Sequence, residues 1–305
     1  MNQPTVSLND INTIASSHPE ALIRRDESQY ARQLCETAGK LLQGGQKIIL
    51  LAGPSGSGKT TTAHMLSHEM ARLGIRAAVV SLDDFYLNPQ NMPLLPDGSP
   101  DFESVHSLDL DHLHHCLSEL VEHGRCDLPV FDFVSHRIDG ETRSLVLSKG
   151  DVVIFEGLHA LNPLISDCLP ADQVCRLHVF VGRSIEQDGR VLLSARDLRL
   201  IRRMIRDSRF RNSSPANTLL MWKGVVHGEE RYLKPYEHTA QMVIDSLHSY
   251  EPCVYREPLE RLLDSMEPKD KSDPLIQRIG TALSEFVPLP SELVPEHSLL
   301  REFIG

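Results

Sequence analysis

Five short runs of the chain, residues 47–52, 77–82, 151–155, 177–181 and 242–244, are nearly continuous in valine, isoleucine, leucine and other apolar residues. Runs of that length without polar alternation are expected of strands covered on both faces. Between the first two, Ala63, Met65, Leu66, Met70 and Leu73 recur at helical spacing, and Gly74 stands where a helix-ending cap belongs. Helical patterning also marks 21–42, 257–266 and 275–286. Strands that alternate with helices predict right-handed crossovers, hence an α/β fold of three layers with a central parallel sheet of about five strands and helices on both faces. Phe131, Phe133, Leu145 and Leu147 alternate in period two around Asp139-Gly140, so 129–148 is expected to be a short antiparallel excursion. Residues 88–101 carry Pro89, Pro93, Pro96, Gly98 and Pro100 and are expected to be irregular. The pattern divides the chain into a helical extension over 1–45, a catalytic domain over 46–250 and a second helical extension over 251–305 packed on that domain.

Composition adds limits. With 41% hydrophobic residues in 305, one large core forms without disulfides. The six cysteines are scattered and none sits in a CxxC pair, so free thiols and a cytoplasmic location are expected. The first residues hold no basic and apolar leader pattern, and no apolar run approaches the roughly 18 residues of a membrane span. A net charge of −11 repels polyanions, so neither nucleic acid nor membrane is the expected partner; homo-oligomerisation is left open. His112, His114 and His115 flank Leu110, Leu113 and Leu117 on a helical pattern and read as a solvated face rather than a zinc site.

Four elements carry chemistry. Gly53-Pro54-Ser55-Gly56-Ser57-Gly58-Lys59-Thr60 follows a predicted strand and opens a predicted helix. Such a loop curls backbone N–H groups around phosphates, sends the lysine to the β- and γ-phosphates and offers the Thr60 hydroxyl to Mg²⁺. Asp83 and Asp84 end the second strand, where an open α/β sheet faces its ligand; one of them is placed to accept the proton of an attacking hydroxyl. Glu156 ends the third strand, opposite the loop threonine, as a Mg²⁺-side carboxylate does. Seven arginines, 196, 199, 202, 203, 206, 209 and 211, cluster in an otherwise acidic chain. On a helix, Arg199, Arg203 and Arg206 share a face and form a lid over ATP. Arg202 and Arg209 fit better on a solvated face paired with Asp197 and Asp207, and an RNA-binding stripe is the third reading, weakened by the net charge and the lack of aromatic residues among the arginines.

In this order the four elements resemble the uridine kinase and phosphoribulokinase family of P-loop kinases. Further segments match: Pro129-Val130-Phe131-Asp132-Phe133 running to His136, Asp101-Phe102-Glu103-Ser104, and Arg199-Leu200-Ile201-Arg202-Arg203-Met204-Ile205-Arg206-Asp207. The similarity runs toward a bacterial uridine kinase-like branch in which the kinase domain follows a TGS-like region. It rests on Glu156-Gly157-Leu158-His159-Ala160-Leu161-Asn162-Pro163, Thr218-Leu219-Leu220-Met221-Trp222 and Leu300-Arg301-Glu302-Phe303-Ile304-Gly305. The resemblance implies ATP with Mg²⁺, and a small hydroxyl-bearing acceptor such as uridine or cytidine, phosphorylated at its 5′-hydroxyl. It makes Asp83, Lys59 and Arg206 catalytic. Gly53, Ser55, Gly56, Ser57, Gly58, Lys59, Thr60, Thr61, Arg203, Arg206 and Arg211 become nucleotide-binding. Asp83, Tyr86, Glu103, Phe131, His136 and Arg203 fall in the acceptor pocket, and Thr60 and Glu156 at the metal. Phe131 replaces the usual tyrosine, Arg211-Asn212-Ser213 replaces R-G-R, and Met221-Trp222 replaces Q-Y. These departures leave a kinase for another polyol or sugar phosphate, or a nucleotide-binding regulator, as alternatives.

Overall fold

The computed structural model describes residues 4–132 and 137–305, with the side chains of 132 and 137–141 left aside. Strand β1 (Thr5–Ser7) leads into α1 (Leu8–Ser17) and the long α2 (Pro19–Gly44). Then come β2 (Ile48–Ala52), α3 (Lys59–Arg72), β3 (Ala77–Ser81), α4 (Leu110–Glu122), β4 (Arg125–Asp132), β5 (Arg137–Val146) and β6 (Val152–Gly157). After a short α5 (Pro163–Ser166) follow β7 (Val174–Phe180), β8 (Ser184–Gln187), β9 (Arg190–Leu193), α6 (Ala195–Phe210), α7 (Pro215–Tyr232) and β10 (Met242–Asp245). The chain finishes with α8 (Glu251–Asp264), α9 (Pro268–Lys271), α10 (Pro274–Ser284) and α11 (Arg301–Ile304).

The five apolar runs form one all-parallel sheet in the order β10-β7-β2-β6-β3. Every residue of β2 and β6 is buried, which is why neither alternates with polar residues. Along β2, Ile49 and Leu51 enter a core shared with α2, α3, α6, α8 and α10, while Ile48, Leu50 and Ala52 enter a second core on α4. The expected three-layer α/β architecture is therefore what the period-2 geometry of the central strands produces. Strands β4 and β5 pair antiparallel, as 129–148 suggested, beginning at Arg125↔Val146. No helix among the described residues is long and apolar enough to cross a membrane. All six cysteines are free thiols.

Two features had no local signal. Strand β1 pairs parallel with β8, which pairs with β9, making a second, three-stranded sheet. Leu8, Tyr30 and Leu34 near one end of the chain and Leu299, Phe303 and Ile304 near the other all lie in the core that holds Ile49 and Leu51. Two histidines of α4, His112 and His114, are also less solvated than their pattern suggests, while His115 is exposed. His112 packs edge-on to Phe85 and His114 bonds the Leu164 carbonyl at 2.6 Å.

Candidate active site

Strand β2 delivers the chain into residues 53–58, and α3 carries it away at Lys59. Two glycines of this turn have positive φ, 75° at Gly56 and 82° at Gly58, a region that favours glycine. A Cβ on Gly56 would lie 2.7 Å from the Arg199 carbonyl oxygen, so the loop lies flat against α6. The Thr62 hydroxyl donates to the Gly58 carbonyl at 2.7 Å and pairs with the Tyr30 hydroxyl at 2.6 Å, which locks the first turn of α3. Ser57 Oγ is buried without a partner among the described residues.

The arginine helix is built into this loop. Ten of the sixteen residues of α6 are buried, and a Ser194–Asp197 capping box starts it. Arg199 forms a two-point pair with Glu229 at 2.6 and 2.8 Å, and its guanidinium also donates to the Ser55 carbonyl at 2.9 Å. Glu229 in turn accepts the Ser55 N–H at 3.1 Å. Arg203 donates to Ser55 Oγ at 2.8 Å, and Arg206 bonds Asp207 at 2.7 Å. Arg211 stands at the rim, its side chain 60% exposed, with Asp207 at 3.7 Å. Asp207 therefore gathers Arg203, Arg206 and Arg211 on one side of the loop.

Arg202 corrects the sequence reading. It is fully buried, not on a solvated face. Its Nε and Nη2 bond Glu251 at 2.6 and 2.9 Å, Nη1 donates to the Gly56 carbonyl at 3.1 Å, and Phe303 lies 5.2 Å beneath the guanidinium. At positions 198, 202 and 205 the helix presents one stripe to the core, so Arg202 shares the face of Leu198 and Ile205 and is tolerated there only because Glu251 neutralises it.

Across the loop, Thr60 Oγ1 donates to Glu156 Oε1 at 3.0 Å. Glu156 is 3% exposed and its Oε2 has no hydrogen-bond partner among the described residues. Burial raises its carboxyl above the usual range, Lys59 opposes that shift and Asp83 adds to it. A hydroxyl and an under-satisfied carboxylate are hard oxygen donors, the set that suits Mg²⁺ held by one or two protein oxygens and by substrate phosphates. No group of three or more His, Cys, Asp or Glu forms a cage of its own among the described residues.

Asp83 and Asp84 follow β3 in a tight turn whose start is capped by Ser81. They point apart. The Asp84 carboxyl is raised by burial, with Arg143 opposing and Asp83 adding, and it accepts the Phe131 N–H; it faces the β4–β5 hairpin. The charge of Asp83 instead acts on Tyr86, Glu103, Glu156 and Arg211, which puts it in the middle of the site.

Glu103 also feels the charge of Asp83. Burial pushes its carboxyl up to about 7, against the opposing charge of Arg203 and with Glu229, Asp83 and Asp101 adding to the shift. Helix α7 can reach it because residue 228 is glycine, where a Cβ would stand 2.5 Å from that of Glu103. The Tyr86 hydroxyl donates to the Phe102 carbonyl at 2.9 Å, so only its ring serves the pocket. Its ring centroid is 5.7 Å from that of Phe131 and 6.0 Å from that of Phe102. His136 lies outside the described residues. Sequence reasoning missed Arg143, Gly228 and Glu229, and quoted Phe102 and His159 within motifs without giving either a role of its own. The last is 2% exposed with both ring nitrogens unpartnered among the described residues, and burial, with Lys59 and His106 adding, lowers it to about 3, so it is neutral.

A family model described as "Phosphoribulokinase / Uridine kinase family" matches residues 48–251. A uridine kinase of Ureaplasma urealyticum is 24% identical over 199 residues, covering 65% of this chain and 86% of the relative. A uridine kinase of Schizosaccharomyces pombe is 29% identical over 195 residues, 63% of this chain and 37% of the relative. Among solved structures, a protein of Silicibacter sp. TM1040 provisionally assigned as a fructose transport system kinase superposes with a TM-score of 0.50 at 19% identity. That alignment covers 69% of this chain and 98% of the other and speaks to the fold alone.

Proposed function

We propose, on the premise that this chain belongs to the phosphoribulokinase and uridine kinase family and is thus a kinase with an alcohol acceptor, that it moves the γ-phosphoryl group of ATP to the 5′-hydroxyl of a ribonucleoside. The observation that carries the reading is Arg203. One of its nitrogens bonds Ser55 in the phosphate loop at 2.8 Å while its charge opposes the burial-driven rise of the Glu103 carboxyl, so the acceptor pocket and the phosphate loop share one cation. The charge of Asp83 acts on Glu103 of the pocket and on Glu156 beside the loop. As the acceptor oxygen bonds to phosphorus and ADP leaves, the Asp83 carboxylate takes the hydroxyl proton. Lys59, Arg203, Arg206 and Arg211 stabilise the negative charge of the transferring group. Thr60 and Glu156 would hold Mg²⁺, which when bound would supply charge neutralisation for the phosphate chain. Glu103 is suited to a vicinal diol, and the rings of Tyr86, Phe102 and Phe131 to a flat base.

A second reading, a kinase for another polyol or sugar phosphate in the cytoplasm, draws on one observation. The Tyr86 hydroxyl is spent on a backbone carbonyl and Phe131 has none, so neither ring reads a base by hydrogen bonds. Steady-state kcat/KM for uridine, cytidine, adenosine, deoxyuridine and a non-nucleoside polyol separates the two. A ribonucleoside should exceed its 2′-deoxy counterpart by roughly 10-fold or more, the cost of leaving a pocket carboxylate without its hydroxyl. If the polyol is the better acceptor, the nucleoside reading fails and the kinase remains; if no acceptor is phosphorylated, a nucleotide-binding regulator replaces both.

A further inference from the structure

The segment 298–305 packs directly against the phosphate loop, far from any residue adjacent in sequence. Leu299 is fully buried with Cδ1 only 2.7 Å from where a Cβ on Gly58 would stand. Phe303 is fully buried beneath Arg202. Held between them, Glu302 accepts a hydrogen bond from the Thr61 hydroxyl at 2.6 Å, and its other oxygen is 3.8 Å from an Arg206 nitrogen. Thr61 lies in the first turn of α3, where unpaired amides and the helix dipole favour an anion, and Arg206 is a cation of the same site.

We propose that Glu302 sets nucleotide affinity by competing with the phosphate chain for the Thr61 hydroxyl and for Arg206. This rests on the reading of residues 53–61 and Arg206 as the nucleotide site. A carboxylate and a phosphate satisfy the same two donors with the same sign of charge, and like charges cannot share a space so confined. Binding therefore withdraws Glu302 from Thr61. Leu299 and Phe303, anchored on the loop and on Arg202, carry that withdrawal to the rest of the segment. The side chain is a positioning residue: it orders two donors and hands them over.

The test is calorimetric titration of ATP and of inorganic tripolyphosphate into the full chain and its Glu302→Gln and Lys59→Ala variants, with hydrogen exchange of the parent chain beside it. Glu302→Gln should bind both ligands about 10-fold tighter, the scale of one charge-assisted hydrogen bond, and KM for ATP should fall in step while kcat does not rise. In the parent, ATP should speed exchange of the amides of 299–304. Unchanged affinity in Glu302→Gln overturns the proposal. So does weaker ATP binding with tripolyphosphate unaffected, because Glu302 would then recognise the nucleoside part. Should Glu302→Gln fail to fold, exchange in the parent decides: slowed or unaltered exchange across 299–304 on adding ATP overturns it. If the parent binds neither ligand and Lys59→Ala behaves identically, the nucleotide-site reading falls together with this one.

Discussion

Replacing Arg202 with alanine would leave the Glu251 carboxylate buried without its cation. Both side chains are fully buried, and they meet through two hydrogen bonds of 2.6 and 2.9 Å. Removing one partner of such a pair costs about 3–5 kcal/mol. The Gly56 and Ser246 carbonyls lose donors at 3.1 and 2.9 Å as well, at about 1 kcal/mol each. A total of about 5–7 kcal/mol is a large part of the roughly 5–15 kcal/mol by which native proteins are stable. Thermal unfolding should therefore move down by about 10 °C or more. The double variant Arg202→Met with Glu251→Leu removes both charges and should recover most of the loss, short by about 2 kcal/mol for the two carbonyls. Urea unfolding of the three proteins supplies the comparison. A single variant within about 1 kcal/mol of the parent, or a double variant no better than the single, would refute the argument that charge compensation, not packing, holds Arg202 in the core.

Other perturbations probe the chemistry. Asp83→Asn should lower kcat by about 10²-fold or more with ATP affinity kept, and Asp84→Asn, which faces the hairpin, should do less; single-turnover rates of the two decide, and a reversed order overturns the assignment. Because burial lifts Glu103 to about 7, its carboxylate fades as pH falls through 7, so acceptor kcat/KM should drop with a slope near one and Glu103→Gln should flatten the profile. The stability effect has the opposite sign: a carboxyl raised on folding contributes most at low pH, and that contribution is lost as pH rises through about 7, which pH-dependent urea midpoints can register. Gly228→Ala forces α7 away from Glu103 and should raise acceptor KM by roughly 10-fold with little change in KM for ATP. Equal effects on the two would show that the helix reports to the loop instead.

The legible parts of this chain are those written locally. Gly53–Thr60 and the fully apolar β2 and β6 declare themselves because turn chemistry and double-sided burial act within a few residues. The burial of Arg202 was half legible: its spacing to Leu198 and Ile205 places it on the apolar stripe, but its partner lies 49 residues away. Glu302 on Thr61 is separated by 241 residues and β1 on β8 by nearly 180, and no window of sequence holds both members. Glu103 is singled out by motif, whereas the glycine on α7 that makes room for it is not, because a helical glycine carries no signal until the neighbour it spares is known. The choice of Asp83 over Asp84 likewise depends on which way a tight turn is rolled, and the hairpin that draws Asp84 aside is a tertiary fact.

The strand β1 and the helices beside it have a consequence for how the chain reaches its folded state. Asn12 bonds the backbone at Glu285 and Val287, across 273 and 275 residues, and Glu27 meets Ser298 across 271. Loops of that length must close before those contacts repay anything, so the meeting of the first two helices with residues 285–298 belongs late on the pathway, after α2 has met α3 through pairs as near in sequence as Tyr30 and Thr62. On a ribosome adding roughly 5–20 residues each second, the faces of those helices that residues 285–298 cover would wait many seconds bare, an interval in which a chaperone or another nascent chain is the nearest partner. Trp222, the sole tryptophan, lies in the same hydrophobic core. In stopped-flow refolding its fluorescence should therefore return in the same slow phase that protects the amides of α2. Earlier recovery of α2 would mean that the helix docks before the core around Trp222 closes.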